Sequence, residues 1–298
     1  MNMRKQTLQK AHQWTILDVL TWTAEYFSAN HIDSPRLTAE ILLAETIGVE
    51  RIDLYVRFEQ PLTEDERNRF RELVKRRVRR EPTAYILGRK DFWTIGLEVT
   101  PDVLVPRPET EFLVEVAIER IDEAQAPFMR IFDMGTGSGA IAISLASCRT
   151  SPVFFASDSS PAALGVAARN AAANAVAARI RFFASRWFDA VSQNAGFDMI
   201  VSNPPYIPTP CVTELEPEVR DFEPAAALDG GRDGLRDIAF LIKDAPEYLR
   251  PSGTLLLEIG HDQKEAVEAL ASRNQAFGDV FFRKDYEGHH RVAVLKKG

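Results

Sequence analysis

Residues 129–146 read MRIFDMGTGSGAIAISLA, and this stretch decides the fold class. The segment from Arg130 to Met134 is dominated by apolar residues, as expected for a short buried strand. The glycine-rich run from Gly135 to Gly139 permits a tight turn, and the apolar segment from Ala140 to Ala146 then begins a helix. The sequence therefore predicts a strand, a glycine loop and a helix in direct succession.

Strand and helix patterns continue to alternate after this stretch. The later strand patterns cover residues 153–157, 180–184, 197–202, 255–258, 280–282 and 292–295. Helix patterns cover residues 235–249 and 263–272, and a further helix follows Ser160 as its cap. Such alternation is typical of a mainly parallel sheet with helices on both faces, so we predict an α/β domain over residues 109–298.

The residues before this domain follow other patterns. Residues 11 to 80 read as helices, including one that starts at Thr63, with Glu66 three positions later as a capping box. Between Thr83 and Pro108, short extended pieces separated by glycine and proline indicate a β-hairpin. We predict a helical domain over residues 1–82 and a hairpin linker over residues 83–108.

Composition and charge exclude several classes of protein. The chain has 298 residues, of which 45% are hydrophobic and 27% charged, as in ordinary globular proteins. A net charge of −7 argues against a protein whose affinity depends mainly on phosphate contacts. The basic run from Lys75 to Arg80 complements the dipole at the end of a predicted helix, although contact with RNA or an acidic protein surface stays a lesser alternative.

Two further observations concern the compartment. Cys148 and Cys211 have neither metal-ligand nor disulfide-framework spacing, so we expect reduced thiols and no bound metal. No uncharged apolar stretch reaches membrane-spanning length, and the first residues lack the apolar run of an export signal. These features favour a cytoplasmic protein without a membrane partner.

The chain leaves the strand predicted at 197–202 through Asn203-Pro204-Pro205-Tyr206. Neither proline has an amide hydrogen and each fixes its own φ, so the turn is stiff and cannot continue the strand pairing. The side-chain carbonyl of Asn203 and the backbone carbonyl of Pro204 can then face one point beside the Tyr206 ring. Two acceptors and an aromatic face suit a planar group with an NH2, either a carboxamide or the amine of a base.

The glycine loop, Gly135-Thr136-Gly137-Ser138-Gly139, follows the first strand of the predicted sheet. Its glycines let a ligand approach the backbone, but the spacing is not the dinucleotide pattern and no phosphate-binding lysine follows. Asp158 comes at the end of the second strand, where a carboxylate can accept both hydroxyls of a ribose, although it could also simply start a turn. The loop, Asp158 and the turn at Asn203 all follow strand ends of one sheet, so we expect them to share one crevice.

Together these features describe an S-adenosylmethionine site beside a loop that binds an NH2 group. The sulfonium methyl is an activated electrophile, so holding two reactants in line supplies much of the rate. Aromatic faces suit a cationic sulfur, and Tyr206, Trp187 and Phe92 are candidates, although Trp187 and Phe92 fit core positions equally well.

Motifs along nearly the whole chain resemble those of the HemK-type protein glutamine N5-methyltransferase family, and of its release-factor branch in particular. Besides the glycine loop and the Asn203 turn, these motifs are Tyr85-Ile86-Leu87-Gly88, Phe92-Trp93, residues 105–111 (VPRPETE), Glu223-Pro224, residues 228–235, Leu257-Glu258-Ile259-Gly260 with Gln263, and Asp285 with Gly288 and Arg291. The tetrapeptide alone is common among amino-methyltransferases. The full set in this order is far more specific.

The resemblance implies a seven-stranded, Rossmann-like class I methyltransferase sheet whose last strand is antiparallel, with a small N-terminal helical bundle joined by a β-hairpin. It implies that residues 135–139 contact the methionine end of S-adenosylmethionine, that Asp158 holds the ribose and that Trp187 flanks the adenine. Asn203 would lie between cofactor and substrate, and residues 203–206 would hold a glutamine side chain. The implied substrate is the glutamine of the Gly-Gly-Gln motif in class I peptide-chain release factors, docked with the help of the N-terminal helices, and the cofactor product is S-adenosylhomocysteine.

Two alternatives stay open. A ribosomal-protein glutamine N5-methyltransferase would share the fold but differ in its N-terminal region, and the pattern from Tyr85 to Glu111 favours the release-factor branch. An adenine N6-methyltransferase would use the same tetrapeptide on nucleic acid, yet its strongly basic face is lacking beyond residues 75–80, so we expect no stable nucleic-acid partner. Ser159 and Arg186 depart from the residues usual in the family at those positions.

Overall fold

The computed structural model describes residues 13–124, 126 and 128–298. The chain separates into two compact units, one up to Leu87 and the other from Gly88 to Gly298. Each unit has its own apolar core. Across the described residues, no helix combines the length and the apolar character needed to cross a lipid bilayer.

The first unit consists of short packed helices. They are α1 (Ile16–Ala29), α2 (Pro35–Ile47), α3 (Arg51–Val56), α4 (Glu64–Val78) and α5 (Thr83–Leu87). Helix α4 begins as predicted, because the Thr63 hydroxyl accepts from the Glu66 amide while the Glu66 carboxylate accepts from the Thr63 amide. Phe27, Leu42 and Phe70 are among the buried side chains that hold these helices together.

The basic run at the end of α4 makes contacts within this unit. Arg76 donates from Nε and Nη2 to the two carboxylate oxygens of Glu81, at 2.8 and 2.5 Å. The Arg77 side chain is buried, and Lys75 pairs with Glu72 at 2.7 Å. These contacts give the run a structural role at the end of the helix.

Strands β1 (Arg89–Phe92) and β2 (Ile95–Glu98) form the predicted antiparallel hairpin. The prediction of extended structure is wrong for residues 83–87, which form α5. Tyr85 and Ile86 are both buried there. A helical turn satisfies the backbone of such a short buried segment locally, whereas an extended segment would need a neighbouring strand.

The second unit is built on a seven-stranded sheet. Its strands are β3 (Arg130–Met134), β4 (Val153–Asp158), β5 (Ile180–Ala184), β6 (Phe197–Ser202), β7 (Leu249–Glu258), β8 (Phe277–Lys284) and β9 (His290–Lys297). They lie in the order β5-β4-β3-β6-β7-β9-β8. Strands β3 to β7 pair in parallel, and β9 runs antiparallel to both β7 and β8. This is the predicted sheet, including its antiparallel last strand.

Helices cover both faces of this sheet. They are α6 (Thr110–Ala124), α7 (Ala140–Cys148), α8 (Pro161–Ala173), α11 (Arg236–Asp244) and α12 (Lys264–Ser272), and two four-residue helices without buried residues, α9 (Thr209–Val212) and α10 (Pro217–Arg220), lie between β6 and α11. Alternate strand residues face opposite cores, so Ile131 belongs to the core that α6 and α7 cover, and Phe132 to the core that α11 and α12 cover.

One predicted helix is shorter than expected, while three strands have the expected bounds. The helix predicted over residues 235–249 ends at Asp244, and β7 already begins at Leu249. Pro246 lies in the 3₁₀ turn between them and has no amide hydrogen with which to continue the α-helix. Strands β3, β5 and β6 begin and end where the sequence predicted.

The register of the parallel strands brings three strand ends to one level. Met134 of β3 lies opposite Ser157 of β4 and Ser202 of β6. The glycine loop, Asp158 and Asn203 come directly after these three residues. They therefore emerge side by side at the carboxyl edge of the sheet, where α/β folds bind ligands.

Candidate active site

The glycine loop is held against the end of β4. The amides of Gly135 and Thr136 both donate to the Ser157 carbonyl at 2.9 Å. The Gly137 amide donates to Asp158 Oδ2, also at 2.9 Å. These hydrogen bonds hold the loop in place against β4.

Two buried side chains support the loop, and sequence reasoning missed both. Asp133 Oδ2 accepts from the Thr136 hydroxyl at 2.6 Å and from the Ala142 amide at 3.1 Å. Burial raises the pKa of Asp133 to about 7, although these hydrogen bonds oppose the shift. Asn170 Nδ2 donates to the Ser138 carbonyl at 2.8 Å. Asp133 opens the glycine motif, which was the available signal, whereas Asn170 lies in an ordinary helical pattern.

A cavity of about 460 Å³ lies at this edge of the sheet. That volume is in the range of small-molecule sites, roughly 300–1,000 Å³. Eight of the site residues predicted from the sequence line this cavity: Gly135, Thr136, Gly137, Ser138, Asp158, Trp187, Asn203 and Pro205. Gly139, Pro204 and Tyr206 do not line it, and Phe92 is buried in the core.

Backbone amides fix Asp158 at the cavity wall. Its Oδ2 accepts from Gly137 and its Oδ1 from Ser160, both at 2.9 Å. The residue is half-buried, and each carboxylate oxygen has a second lone pair for a further donor. This carboxylate therefore holds the glycine loop and can also accept hydrogen bonds from a bound ligand.

The indole of Trp187 packs on Gly135, where an added Cβ would lie 3.7 Å from the ring. Its Nε1 donates to Asp237 Oδ1 at 3.1 Å, and Arg236 Nη2 donates to the other oxygen of Asp237 at 2.8 Å. Trp187 has a φ of +48°, which is costly for a large side chain and persists only where the surroundings fix it. The indole is therefore held in one orientation at the cavity, by two residues that sequence reasoning did not identify.

The turn after β6 brings Asn203 to the cavity with its side-chain amide anchored. Asn203 Nδ2 donates to Thr110 Oγ1 at 3.0 Å. Thr110 is the first residue of α6 and is buried. This contact leaves Asn203 Oδ1 as the acceptor that the side chain can offer to a ligand.

Tyr206 points to a buried carboxylate at the end of β7. Its hydroxyl donates to Glu258 Oε1 at 3.2 Å, and burial followed by the Glu258 charge raises the pKa of Tyr206. Burial raises the pKa of Glu258 to about 7, against hydrogen bonding from Thr110 and Tyr206 and the charge of Arg291. Glu258 Oε2 makes no hydrogen bond of standard geometry within the described part of the chain. Glu258 is thus a buried, ionisable carboxyl group directly beside the Asn203 turn.

The glycine segment, residues 228–235, packs its backbone on that turn. The Gly230 amide donates to the Ile207 carbonyl at 2.9 Å. A Cβ on Gly230 would lie 2.7 Å from the Pro205 carbonyl oxygen. No side chain fits at that position, which explains a glycine there by close approach of two backbones.

Gly234 makes a similar approach from the end of the same segment. A Cβ on Gly234 would overlap the Tyr206 carbonyl, and Gln263 Nε2 donates to that carbonyl at 2.9 Å. The Gly260 amide donates in turn to Gln263 Oε1 at 2.9 Å. Two motifs of the resemblance therefore meet on the turn and hold its backbone in place.

An ion pair joins two other motifs at the cavity. Arg107 Nη2 donates to Glu223 Oε1 at 2.7 Å, and the Val105 amide donates to Oε2 at 3.2 Å. The Glu223 side chain is buried, which raises its pKa, while the Arg107 charge and hydrogen bond lower it. Arg107 and Pro224 both line the cavity. The pair therefore fixes this part of the cavity wall.

Comparisons with known proteins agree with this geometry. The profile of the PrmC N-terminal domain matches residues 18–88, and that of the methyltransferase small domain matches residues 110–213. The release factor glutamine methyltransferase of Geobacter sulfurreducens is 43% identical over 284 residues, which cover 95% of this chain and 97% of that protein. The chain belongs to the release factor glutamine methyltransferase family. The relative of the same name from Rhodopirellula baltica is 39% identical over 286 residues, with the same two coverages.

Membership in the release factor glutamine methyltransferase family confirms the resemblance found from the motifs. Among solved structures, the hMettl16 catalytic domain has a TM-score of 0.57 at 17% identity and covers 76% of this chain and 82% of that one. A methyltransferase from Pyrococcus furiosus has a TM-score of 0.50 at 19% identity, and the match covers 69% of this chain and 89% of that one. At these identities the likenesses show the fold alone, and that fold is the predicted methyltransferase fold.

The release factor glutamine methyltransferase family and the methyltransferase domain imply the use of S-adenosylmethionine. Besides Asp133, Asn170 and Arg236, the structure adds four side chains to the site residues identified from sequence, namely Thr110, Glu223, Asp237 and Glu258. Thr110, Glu223 and Glu258 stood in motifs quoted for the resemblance. The signal that could have identified Glu258 is a carboxylate at the end of an otherwise apolar strand.

Proposed function

We propose that this chain transfers the methyl group of S-adenosylmethionine to the side-chain amide nitrogen of a glutamine in the Gly-Gly-Gln motif of class I peptide-chain release factors. The observation that carries the proposal is the Asn203 turn, where the side chain lines the cavity and its Nδ2 is bound to Thr110, which leaves Oδ1 as an acceptor. Its support is the match, over nearly the whole chain, to relatives named release factor glutamine methyltransferase.

The cavity fits the cofactor in its chemistry as well as its size. A Cβ on Gly137 would meet no atom within 4 Å, so there is open space beside the backbone of the glycine loop. Asp158 would accept the ribose hydroxyls, residues 135–139 would contact the methionine end and the fixed indole of Trp187 would flank the adenine. When bound, the cofactor supplies a methyl group on a positively charged sulfur.

The proposed role of the Asn203 turn follows from the chemistry of an amide nitrogen. That nitrogen is a poor nucleophile because its lone pair is delocalised into the carbonyl. Acceptors that bind both of its hydrogens favour the pyramidal nitrogen, and they bind more strongly as positive charge develops during attack. We assign the two acceptors to Asn203 Oδ1 and the backbone carbonyl of Pro204. No strong general base is needed, because the methyl group is already activated.

Pro205 and Tyr206 complete the proposed glutamine site. Pro205 lines the cavity and, with Pro204, keeps the turn stiff. Tyr206 is anchored through its hydroxyl to Glu258, so its ring holds one position beside the turn. A fixed ring and a stiff backbone reduce the ordering cost of binding the flat amide group.

We also propose that the helices of the first unit help dock the release factor, supported by the match of residues 18–88 to the PrmC N-terminal domain. The place of the reaction would be the cytoplasm, where peptide-chain release occurs. The described helices, none of which could span a membrane, are compatible with that location.

The test is to map the transferred methyl group. A purified class I release factor is incubated with this protein and methyl-labelled cofactor, with total RNA, DNA and ribosomal proteins as parallel substrates. We expect mass spectrometry to show one added methyl group on the glutamine of the Gly-Gly-Gln motif, and none on a release factor whose glutamine is replaced by alanine. Methyl transfer to nucleic acid or a ribosomal protein alone would contradict the proposal.

A further inference from the structure

The side chain of Asn170, in α8, joins the glycine loop to the β1–β2 hairpin. Its Nδ2 donates to the Ser138 carbonyl at 2.8 Å and to the Glu98 carbonyl at 3.0 Å, while its Oδ1 accepts from the Glu98 amide at 2.7 Å. Asn170 is 1% exposed. A side-chain amide combines two donor hydrogens with an acceptor, so these contacts use both hydrogens of Asn170 and fix the direction of its amide group.

The Ser138 carbonyl depends on this side chain for its hydrogen bond. In a regular α-helix, a carbonyl accepts from the amide four residues later, which here belongs to Ala142. The Ala142 amide donates instead to Asp133 Oδ2 at 3.1 Å. Ser138 is buried, so loss of Asn170 would remove the donor that the fold supplies to its carbonyl, and leaving a buried carbonyl without a donor is costly.

The peptide between Ser138 and Gly139 could relieve such a loss by turning. Gly139 has a φ of +85°, and a glycine gives the backbone this freedom. In the present orientation, the Gly139 amide donates to the Thr136 carbonyl at 2.8 Å, and the Ser138 carbonyl faces Asn170. A turned peptide would break the bond to Thr136 and point the Ser138 carbonyl away from Asn170. Ser138 itself lines the cavity, and the methionine end of the proposed cofactor carries a carboxylate, which a carbonyl oxygen repels.

Asn174 holds α8 against the same hairpin but makes its side-chain hydrogen bonds elsewhere than the glycine loop. Its Nδ2 donates to the Gly96 and Asn170 carbonyls, both at 2.9 Å. Four residues of a helix rise about 6.0 Å and two residues of a strand about 6.8 Å, so Asn170 and Asn174 match Glu98 and Gly96 along β2. Among the described residues the hairpin is a two-stranded sheet, so these asparagines bind an edge of β2 that a third strand could have occupied. The hairpin thus supports the residue that holds the loop.

We propose that Asn170 is a positioning residue for the cofactor: supported by the edge of β2, it holds the Ser138 carbonyl toward α8 and so keeps that carbonyl away from the methionine end of the cofactor. This inference rests on the proposed function for the identity of the ligand. It predicts that cofactor affinity depends on a side chain that does not itself line the cavity.

The test compares Asn170→Ala, which removes all three contacts, with the matched control Asn174→Ala, which loosens the same helix from the hairpin and leaves the Ser138 contact in place. We expect calorimetry on the full chain to find the Kd for S-adenosylmethionine raised about tenfold in Asn170→Ala, or 1.4 kcal/mol. The reason is that binding must restore the peptide orientation that the free loop has lost. Asn174→Ala should keep the Kd of the wild type.

Two further measurements separate positioning from a merely structural effect. The kcat of Asn170→Ala at saturating cofactor should stay within about twofold of the wild type, because only cofactor binding is weakened. Hydrogen exchange of the Gly139 amide, followed in ligand-free protein labelled with ¹⁵N-glycine, should be about tenfold faster in Asn170→Ala than in the wild type or Asn174→Ala. This exchange reports the orientation of the peptide without any ligand.

Each outcome supports or overturns the proposal. Wild-type cofactor affinity in folded Asn170→Ala overturns it, and so does a raised Kd with slow Gly139 exchange or an equal rise of the Kd in Asn174→Ala. If Asn170→Ala does not fold, Asn170→Ser takes its place under the same criteria, because a single hydroxyl cannot donate to both carbonyls. A wild type that binds the cofactor about tenfold more tightly than Asn170→Ala, yet methylates no release factor, refutes the proposed function and leaves the role of Asn170 standing.

Discussion

Replacing Gly230 with alanine tests whether the glycine segment positions the Asn203 turn. The new Cβ would lie 2.7 Å from the Pro205 carbonyl oxygen, 2.8 Å from the Gly234 carbonyl oxygen and 2.9 Å from Tyr206 Cα. All three are backbone atoms, so no side-chain rotation relieves the overlap and the turn itself must shift. Overpacking of this kind costs about 1–3 kcal/mol of stability. A shift of the turn approaching 1 Å can lower the methyl-transfer rate by about 100-fold.

Two matched glycines separate overlap from backbone strain. Gly288 has a φ of +87° and open space around it, so Gly288→Ala introduces strain of about 1–2 kcal/mol without overlap. Gly234 has a φ of +75° and also contacts the turn, so Gly234→Ala introduces both backbone strain and overlap with the turn. We expect Gly230→Ala and Gly234→Ala to lose most of their kcat. Gly288→Ala should lose stability and keep its kcat.

The assay is methyl transfer to a release factor, with kcat and KM determined separately, beside thermal unfolding and cofactor calorimetry for each variant. Cofactor affinity should change little, because residues 228–235 contact the turn and not the glycine loop. The reasoning is refuted if Gly230→Ala unfolds earlier than the wild type and yet matches the kcat of Gly288→Ala. The turn would then tolerate displacement, and its stiffness would have no catalytic role.

Three further predictions follow from the same site. Asn203→Ala should abolish methyl transfer while calorimetry finds cofactor affinity nearly unchanged; near-normal turnover would remove Asn203 from the mechanism. Asp158→Ala should weaken cofactor binding, since each hydrogen bond to a charged group is worth roughly 1.5–3 kcal/mol and the Gly137 amide also loses its acceptor; unchanged affinity by calorimetry would contradict the ribose assignment. Burial raises the pKa of Glu258 from 4.5 to about 7. The contribution of this group to the free energy of unfolding is therefore fully present below pH 4.5 and is lost as pH rises through 7. The free energy of unfolding in urea, taken as Glu258→Gln minus wild type, should therefore be larger at pH 8 than at pH 5, by up to about 3 kcal/mol. An equal difference at both pH values would show that Glu258 is not buried as an anion.

Much of the candidate site was predictable because it lies in short contiguous segments. The glycine loop, Asp158 and residues 203–206 each follow a strand whose apolar pattern is clear, and parallel strands bring their carboxyl ends to one edge. The errors came where local patterns are ambiguous. Residues 83–87 form a helix, and the helix after Leu235 stops at Asp244 before Pro246.

The sequence by itself determined the succession of strands and helices along the chain, the stiff turn at Asn203 and the family to which the chain belongs. Only the tertiary structure decided which groups support that turn, because its partners are distant in sequence. Thr110 and Asn203 are 93 residues apart, Glu258 and Tyr206 are 52 apart, and Glu223 and Arg107 are 116 apart. Backbone geometry and hydrophobic periodicity act over a few residues, whereas the orientation of a buried amide or carboxylate depends on which donors the folded chain brings within 3 Å of it.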